Sequence, residues 1–204
     1  MCVRPFAGIP SPGIVPAVTP TAHTTALPLT ALGLATPAAA GRLRADLNRA
    51  EQRFVADVVR MGGIGPWRRH LDSRFATARG TVVTGRLSRA ETAGLVVALV
   101  DLPTRDRCWR RVEDDGPEDW LPLWRHLVRH ALPPFRVEPL FLLAWSTWRL
   151  GHGSSAGAAV DVLLTEDPGH RAGGMLALLV RAGVPPSAVI PLVVDPPAVP
   201  AERT

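Results

Sequence analysis

Four groups of residues have types and spacings that invite a chemical reading. Gly153-Ser154-Ser155-Ala156-Gly157 fits the G-x-S-x-G pattern of a nucleophilic serine, with His152 just before it and Asp161, Asp167 and His170 downstream. Such a serine needs a strand, a sharp turn and a helix to lift its hydroxyl towards a base. Here the preceding segment opens at Pro139 and has the length of a helix, so Ser-Ser after Gly reads as a helix N-cap. His126 and His130 stand four apart, a spacing that puts two imidazoles on one helical face and suits a metal pair. The glutamate of a zinc-peptidase helix is missing, because Leu127 occupies its place, and Arg125 and Arg129 make the surroundings basic. Glu113, Asp114, Asp115, Glu118 and Asp119 form an acidic group interrupted by Gly116-Pro117, without the alternating ligands of a calcium loop. Cys2 and Cys108 are far apart and belong to no metal or redox pair. The sequence therefore predicts no catalytic residue, no cofactor and no bound metal.

Two other features point to surfaces instead. All 23 basic residues are Arg, since the chain has no Lys, and net charge is +5. Arginine does not titrate in the working range, so the sequence pI near 11.0 follows from a modest excess and is no evidence of nucleic-acid binding by itself. The charge is uneven, however. Residues 42–111 carry 15 Arg against seven acids, a net +8, while 112–134 carry −3. Arg42, Arg49, Arg53 and Arg60 recur along one side of a helix and would track phosphates. The six tryptophans are the second feature. Trp109, Trp120, Trp124, Trp145 and Trp148 fall within apolar helical segments, where packing in a core is the expectation for most.

The elements that would position these residues are helical. Residues 1–40 contain seven prolines, one Arg and no acid, which predicts a disordered Pro-rich arm. From Gly41 the apolar residues Leu43, Leu47, Ala50, Phe54, Val58 and Met61 recur at steps of three and four, until Gly62-Gly63. A second helix is expected from Pro66 to Arg79. Gly80-Thr81-Val82-Val83-Thr84 alone alternates like a strand. Ser88 and Glu91 form a capping box ahead of a helix running to Leu102. Further helices are expected from Pro103, over 118–132, 139–150, 154–165 and 170–182. The pattern predicts an all-α domain over 41–192, with six to eight helices in antiparallel hairpins, followed by a disordered tail over 193–204. The hairpin at 139–171 resembles a tetratricopeptide unit, with Ala144 and Ala156 at the close approach.

The longest strongly apolar run, Leu140 to Trp145, is too short to span a bilayer, and prolines interrupt any signal-peptide core. A cytoplasmic protein without a membrane role is expected. The helix 170–182 follows the hairpin alone. Its apolar residues, among them Met175, Leu176 and Leu179, are the expected contact with a protein partner or a second copy. Nucleic-acid binding through the Arg-rich segment is the alternative.

The order and spacing of several segments also carry a family resemblance. They are Leu87-Ser88, Val97-Ala98-Leu99-Val100-Asp101, Arg105-Asp106-Arg107-Cys108-Trp109 and Leu123-Trp124-Arg125. After these come Leu143-Ala144-Trp145, Trp148-Arg149-Leu150-Gly151-His152-Gly153, Asp167-Pro168-Gly169-His170-Arg171 and Arg181-Ala182-Gly183-Val184-Pro185-Pro186. Together they resemble the helical half of an actinobacterial family, domain of unknown function 4192, across about residues 41–190. The resemblance implies a fold, a lineage and a cytoplasmic setting, and it transfers no catalytic residue.

Overall fold

A computed structural model describes residue 34 and residues 37–189 of the chain. Eight α-helices follow one another there: α1 (Pro37–Arg60), α2 (Ile64–Val83), α3 (Arg89–Ala98), α4 (Leu102–Asp115), α5 (Pro117–Arg129), α6 (Val137–Arg149), α7 (Gly153–Glu166) and α8 (Arg171–Arg181). A single 3-10 turn, Pro186–Ala188, comes after them, and the described residues contain no strand. The all-α expectation therefore holds. The disordered tail expected over 193–204 lies outside the described residues, as does the arm expected over 1–40 up to its last residues.

Local chemistry accounts for the breaks. Gly62 and Gly63 have φ of 79° and 117°, a region that L side chains rarely adopt, and they turn the chain from α1 into α2. Ser88 caps α3, accepting from Glu91 N–H while the Glu91 carboxylate accepts from Ser88 N–H. Asp101 caps α4 by accepting from Thr104 N–H at 3.1 Å, and it takes a two-point ion pair from Arg68 of α2 at 2.8 and 2.6 Å.

Three boundaries differ most from the sequence expectation. α1 begins at Pro37, inside the segment read as an arm. Proline suits the first turn of a helix, where an amide proton has no partner, and Ala38–Ala40 extend it at little entropic cost. The alternating Thr81-Val82-Val83 is the last turn of α2, with the Thr81 hydroxyl donating to the Thr77 and Ala78 carbonyls. α3 stops at Ala98 and not at Leu102, because the chain must turn for Asp101 to cap α4.

The core runs through the middle of this arrangement. α6 is buried from Pro139 to Trp148, with only Glu138 near its start left half-buried, and it packs against α5 and α7. A helix apolar around its whole circumference belongs at the centre of a bundle. α6 and α7 are joined by three residues and form the antiparallel hairpin expected at 139–171, with Ala144 and Ala156 fully buried. α8 lies on α7 at close range. A Cβ on Gly173 would meet Leu163 Cδ2 at 2.5 Å and His170 Nδ1 at 2.9 Å, so only glycine fits there. Towards the N-terminus, α1 packs on α3 and α2 on α5. Of residues 38–60, α1 buries only Leu43, Leu47 and Ala50 and keeps the others towards solvent or partly covered. Of the six tryptophans, Trp67, Trp120, Trp124, Trp145 and Trp148 are buried and Trp109 is half-buried. No helix among the described residues is long and apolar enough to cross a membrane.

Candidate functional site

The four chemistry-bearing groups resolve into structural roles. The G-x-S-x-G residues form the first turn of α7, preceded by a helix and a three-residue turn instead of a strand. Among the described residues, no hydrogen bond joins Ser154 or Ser155 to a histidine. His170, the nearest downstream histidine in sequence, is committed elsewhere. Its Nδ1 accepts from Gly173 N–H at 2.9 Å as the cap of α8, which places the ring proton on Nε2 facing Glu138 Oε2 at 3.3 Å.

His126 and His130 do share a face, with ring centroids 4.2 Å apart. His126 Nε2 is 3.0 Å from the Thr92 hydroxyl, and His130 Nδ1 lies 2.8 Å from the His126 carbonyl oxygen. Burial, reinforced by His130 and Arg129, lowers the His126 pKa to about 4, so the ring stays neutral in mildly acidic solution. No group of three or more His, Cys, Asp or Glu among the described residues is placed to hold a metal ion. The Cys108 thiol is buried, and desolvation, with Asp72 adding to it, pushes its pKa far above the ordinary range. It is not a nucleophile. Cys2 lies outside the described residues.

The acidic group between α4 and α5 has partners that its sequence does not announce. Asp115 accepts from the Trp120 indole N–H at 3.2 Å and pairs with Arg79 at 3.1 Å. Asp119 also pairs with Arg79, at 3.3 Å. Glu113 accepts from Trp145 Nε1 at 2.6 Å and pairs with Arg149 at 3.0 Å. Most buried indoles find such an acceptor, whereas Trp124 Nε1 has none among the described residues. These carboxylates satisfy tryptophans and arginines, and a cation would have to displace them.

Segments quoted for the family resemblance converge at one seam between α4, α6 and α8. Trp109 of α4 meets Phe141 and Trp145 of α6 edge-on, with centroids 4.9 and 4.8 Å apart, and Trp145 lies 5.1 Å from Trp148. Arg105 is 8% exposed and stands over the Phe141 ring at 5.2 Å, with Glu138 Oε2 3.1 Å from its Nη1. Arg149 reaches past Glu113 to the carbonyls of Pro186 and Val189, at 2.8 and 3.4 Å, and ties the last described residues onto α6. Every charge here meets an opposite charge or an aromatic face. The seam is a strap holding three helices together, not an open reaction site.

The surface residues picked out from sequence fare unequally. Met175 on α8 is 41% exposed, Leu179 is half-buried against the core and Leu176 is fully buried. Leu176 therefore cannot contact a partner. Successive residues turn by about 100° around a helix, and position 176 falls on the inner side with Gly173 and Ala177. The outward apolar pair is Met175 with Leu178, three residues on and 69% exposed. On α1, Arg42, Arg49, Arg53 and Arg60 are all exposed. Two of them face their own acids, since Arg49 pairs with Asp46 and Arg60 with Asp57, and Arg53 Nε donates to the Arg49 carbonyl at 3.1 Å.

Fold and surface together define an all-helical domain with a packed interior and no assembled catalytic set among the described residues. The domain of unknown function DUF4192 matches residues 28–187, well over half of the chain, and this protein belongs to that family. The match begins before residue 41, so it takes in part of the Pro-rich segment. No curated protein and no solved structure matches the chain.

Proposed function

We propose that this chain is a protein-interaction domain whose docking face is the outer side of α8. The observation that carries the reading is the contrast within that helix. Gly173, Leu176 and Ala177 are buried against the hairpin, while Met175 and Leu178 stand in solvent with the half-buried Leu179 and Val180 beside them. A terminal helix that keeps two large apolar side chains exposed gains by burying them in a contact. The occupant is an apolar helix or strand of another protein, or the same face of a second copy. A cytoplasmic setting fits this role.

The experiment is cross-linking and light scattering of the purified chain beside affinity recovery from the cells it comes from, with Leu178→Glu as the control. A dimer or a stoichiometric partner that disappears in Leu178→Glu supports the reading. A strict monomer whose recovered proteins do not change with the variant removes it.

The alternative is nucleic-acid binding through Arg42, Arg49, Arg53 and Arg60. The net +8 of residues 42–111 favours it, and the pairing of Arg49 and Arg60 with neighbouring aspartates counts against it. Its test is DNA or RNA binding across a salt series, where a steep loss of affinity with salt supports phosphate contacts.

A further inference from the structure

A groove of about 310 Å³ runs between α2 and the start of α3, at the small end of the range for ligand pockets. His70, Ser73, Arg74 and Thr77 line it from α2, at the three- and four-residue steps that share one helical face, and Arg86 enters from the loop that follows. Its floor is apolar, formed by Ala78, Leu87 and Leu95. The donors are unspent. Among the described residues, the side chains of Ser73, Thr77 and Arg86 make no hydrogen bond or ion pair. Arg74 crosses towards α3, where its Nη1 comes within 3.8 Å of the position a Cβ on Gly94 would take. The one acid in the lining, Glu91, feels the charge of Arg74 but spends its Oε2 on the Ser88 amide and hydroxyl as the cap of α3. The groove thus offers two guanidiniums, two hydroxyls and an imidazole above a hydrocarbon floor. This differs from the seam at α4, α6 and α8, where each arginine already has its carboxylate.

We propose that the groove between α2 and α3 binds a small phosphomonoester, with Arg74 and Arg86 on the phosphate, Ser73 and Thr77 donating to its oxygens, and the organic group against Ala78, Leu87 and Leu95. Guanidinium–phosphate contacts are charge-assisted and directional, which suits them to this ligand class. This inference does not depend on the docking face of α8.

The test is isothermal titration of inorganic phosphate and of phenyl phosphate into the full chain at low ionic strength. Saturable binding of both is expected, with phenyl phosphate the tighter because its ring meets the apolar floor. Arg86→Gln, at an exposed position without side-chain partners, should weaken phosphate roughly tenfold, the loss expected for one charged hydrogen-bonding group. Arg74→Gln should act in the same direction, and Arg171→Gln at the start of α8, which packs on α6 and α7, should change nothing. Absence of saturation overturns the proposal. So does an unchanged titration in Arg86→Gln, or an equal loss in Arg171→Gln, which would show diffuse charge only. A DNA duplex that binds through Arg86 and is not displaced by phenyl phosphate would assign the groove to a polymer backbone and overturn the small-ligand reading.

Discussion

α6 and α1 are built on opposite plans. α6 is surrounded by protein, and the charges at its surface are locked in pairs, Arg105 with Glu138 over the Phe141 ring and Glu113 with Arg149. α1 is nearly twice as long, buries three side chains and displays arginines, together with Val55 and Val59. The difference teaches where charge and aromatic content serve the fold and where they are free for other uses. The acids between α4 and α5 invite a cation-site reading in the sequence, and together with the tryptophans expected in the core they form the frame. The arginines picked out along exposed α1 hold little together, because Arg49 and Arg60 pair only with aspartates of their own helix.

The sharpest way to break that contrast is to truncate one apolar side chain on each helix. Phe141→Ala removes the ring that Arg105, Trp109, Trp145 and His170 all contact, and should cost about 3–5 kcal/mol in urea unfolding. Val59→Ala, on the exposed side of α1, should stay within about 0.5 kcal/mol. Comparable losses from the two would mean that α1 is covered by something the contrast ignores. Next in size is Glu138→Gln, which leaves Arg105 without its main counter-charge in the seam. Breaking a buried pair on one side costs roughly 3 kcal/mol, read as a drop in the unfolding midpoint. A neutral result would show that Arg105 finds enough compensation from Asp106 at 2.7 Å and from the Phe141 face.

The ends of helices give smaller effects. Ser88→Ala removes one half of the capping box on α3 and should cost about 1 kcal/mol by thermal or urea unfolding. His126 adds a pH dependence with a definite sign. Its ordinary pKa of 6.5 falls to about 4 in the folded chain, so below 6.5 the unfolded chain takes up the proton first. The stability that goes with the neutral ring is full above 6.5 and is lost progressively as pH falls to about 4. His126→Gln should flatten this part of the stability–pH curve, and a curve unchanged by the variant would contradict the burial of the ring between Thr92 and His130.

How much of this the sequence discloses depends on whether the cause is local. The capping box at Ser88, the Gly62-Gly63 turn and the apolar stripe of α1 are written in neighbouring residues, and the structure has all three. The start of α1 at Pro37 carried its own local signal, a proline followed by three alanines, which the abundance of prolines upstream obscured. The end of α3 was not local at all. It is set by Asp101, whose carboxylate answers to Arg68, 33 residues earlier in the chain. The same holds for Glu113 and Asp115, whose partners Trp145 and Arg79 lie 32 and 36 residues away in the chain. Leu176 and Leu178 look alike in the sequence of α8. Only the packing of α7 against Gly173 decides which of them turns inward. The groove donors Arg74 and Arg86 stand 12 positions apart and become neighbours because α2 ends and the chain folds back at Gly85.

The central claim is that the outer face of α8 serves contact and not stability. The most direct measurement is the mass of the purified chain and of its complexes by light scattering, for wild type and for Leu178→Glu, with unfolding midpoints recorded on the same samples. We predict that the dimer or partner complex is lost in Leu178→Glu while the unfolding free energy of the chain stays within about 0.5 kcal/mol of wild type, as expected for a side chain in solvent. An unaltered mass with a large fall in stability would contradict the account, because Leu178 would then belong to the core and not to an interface.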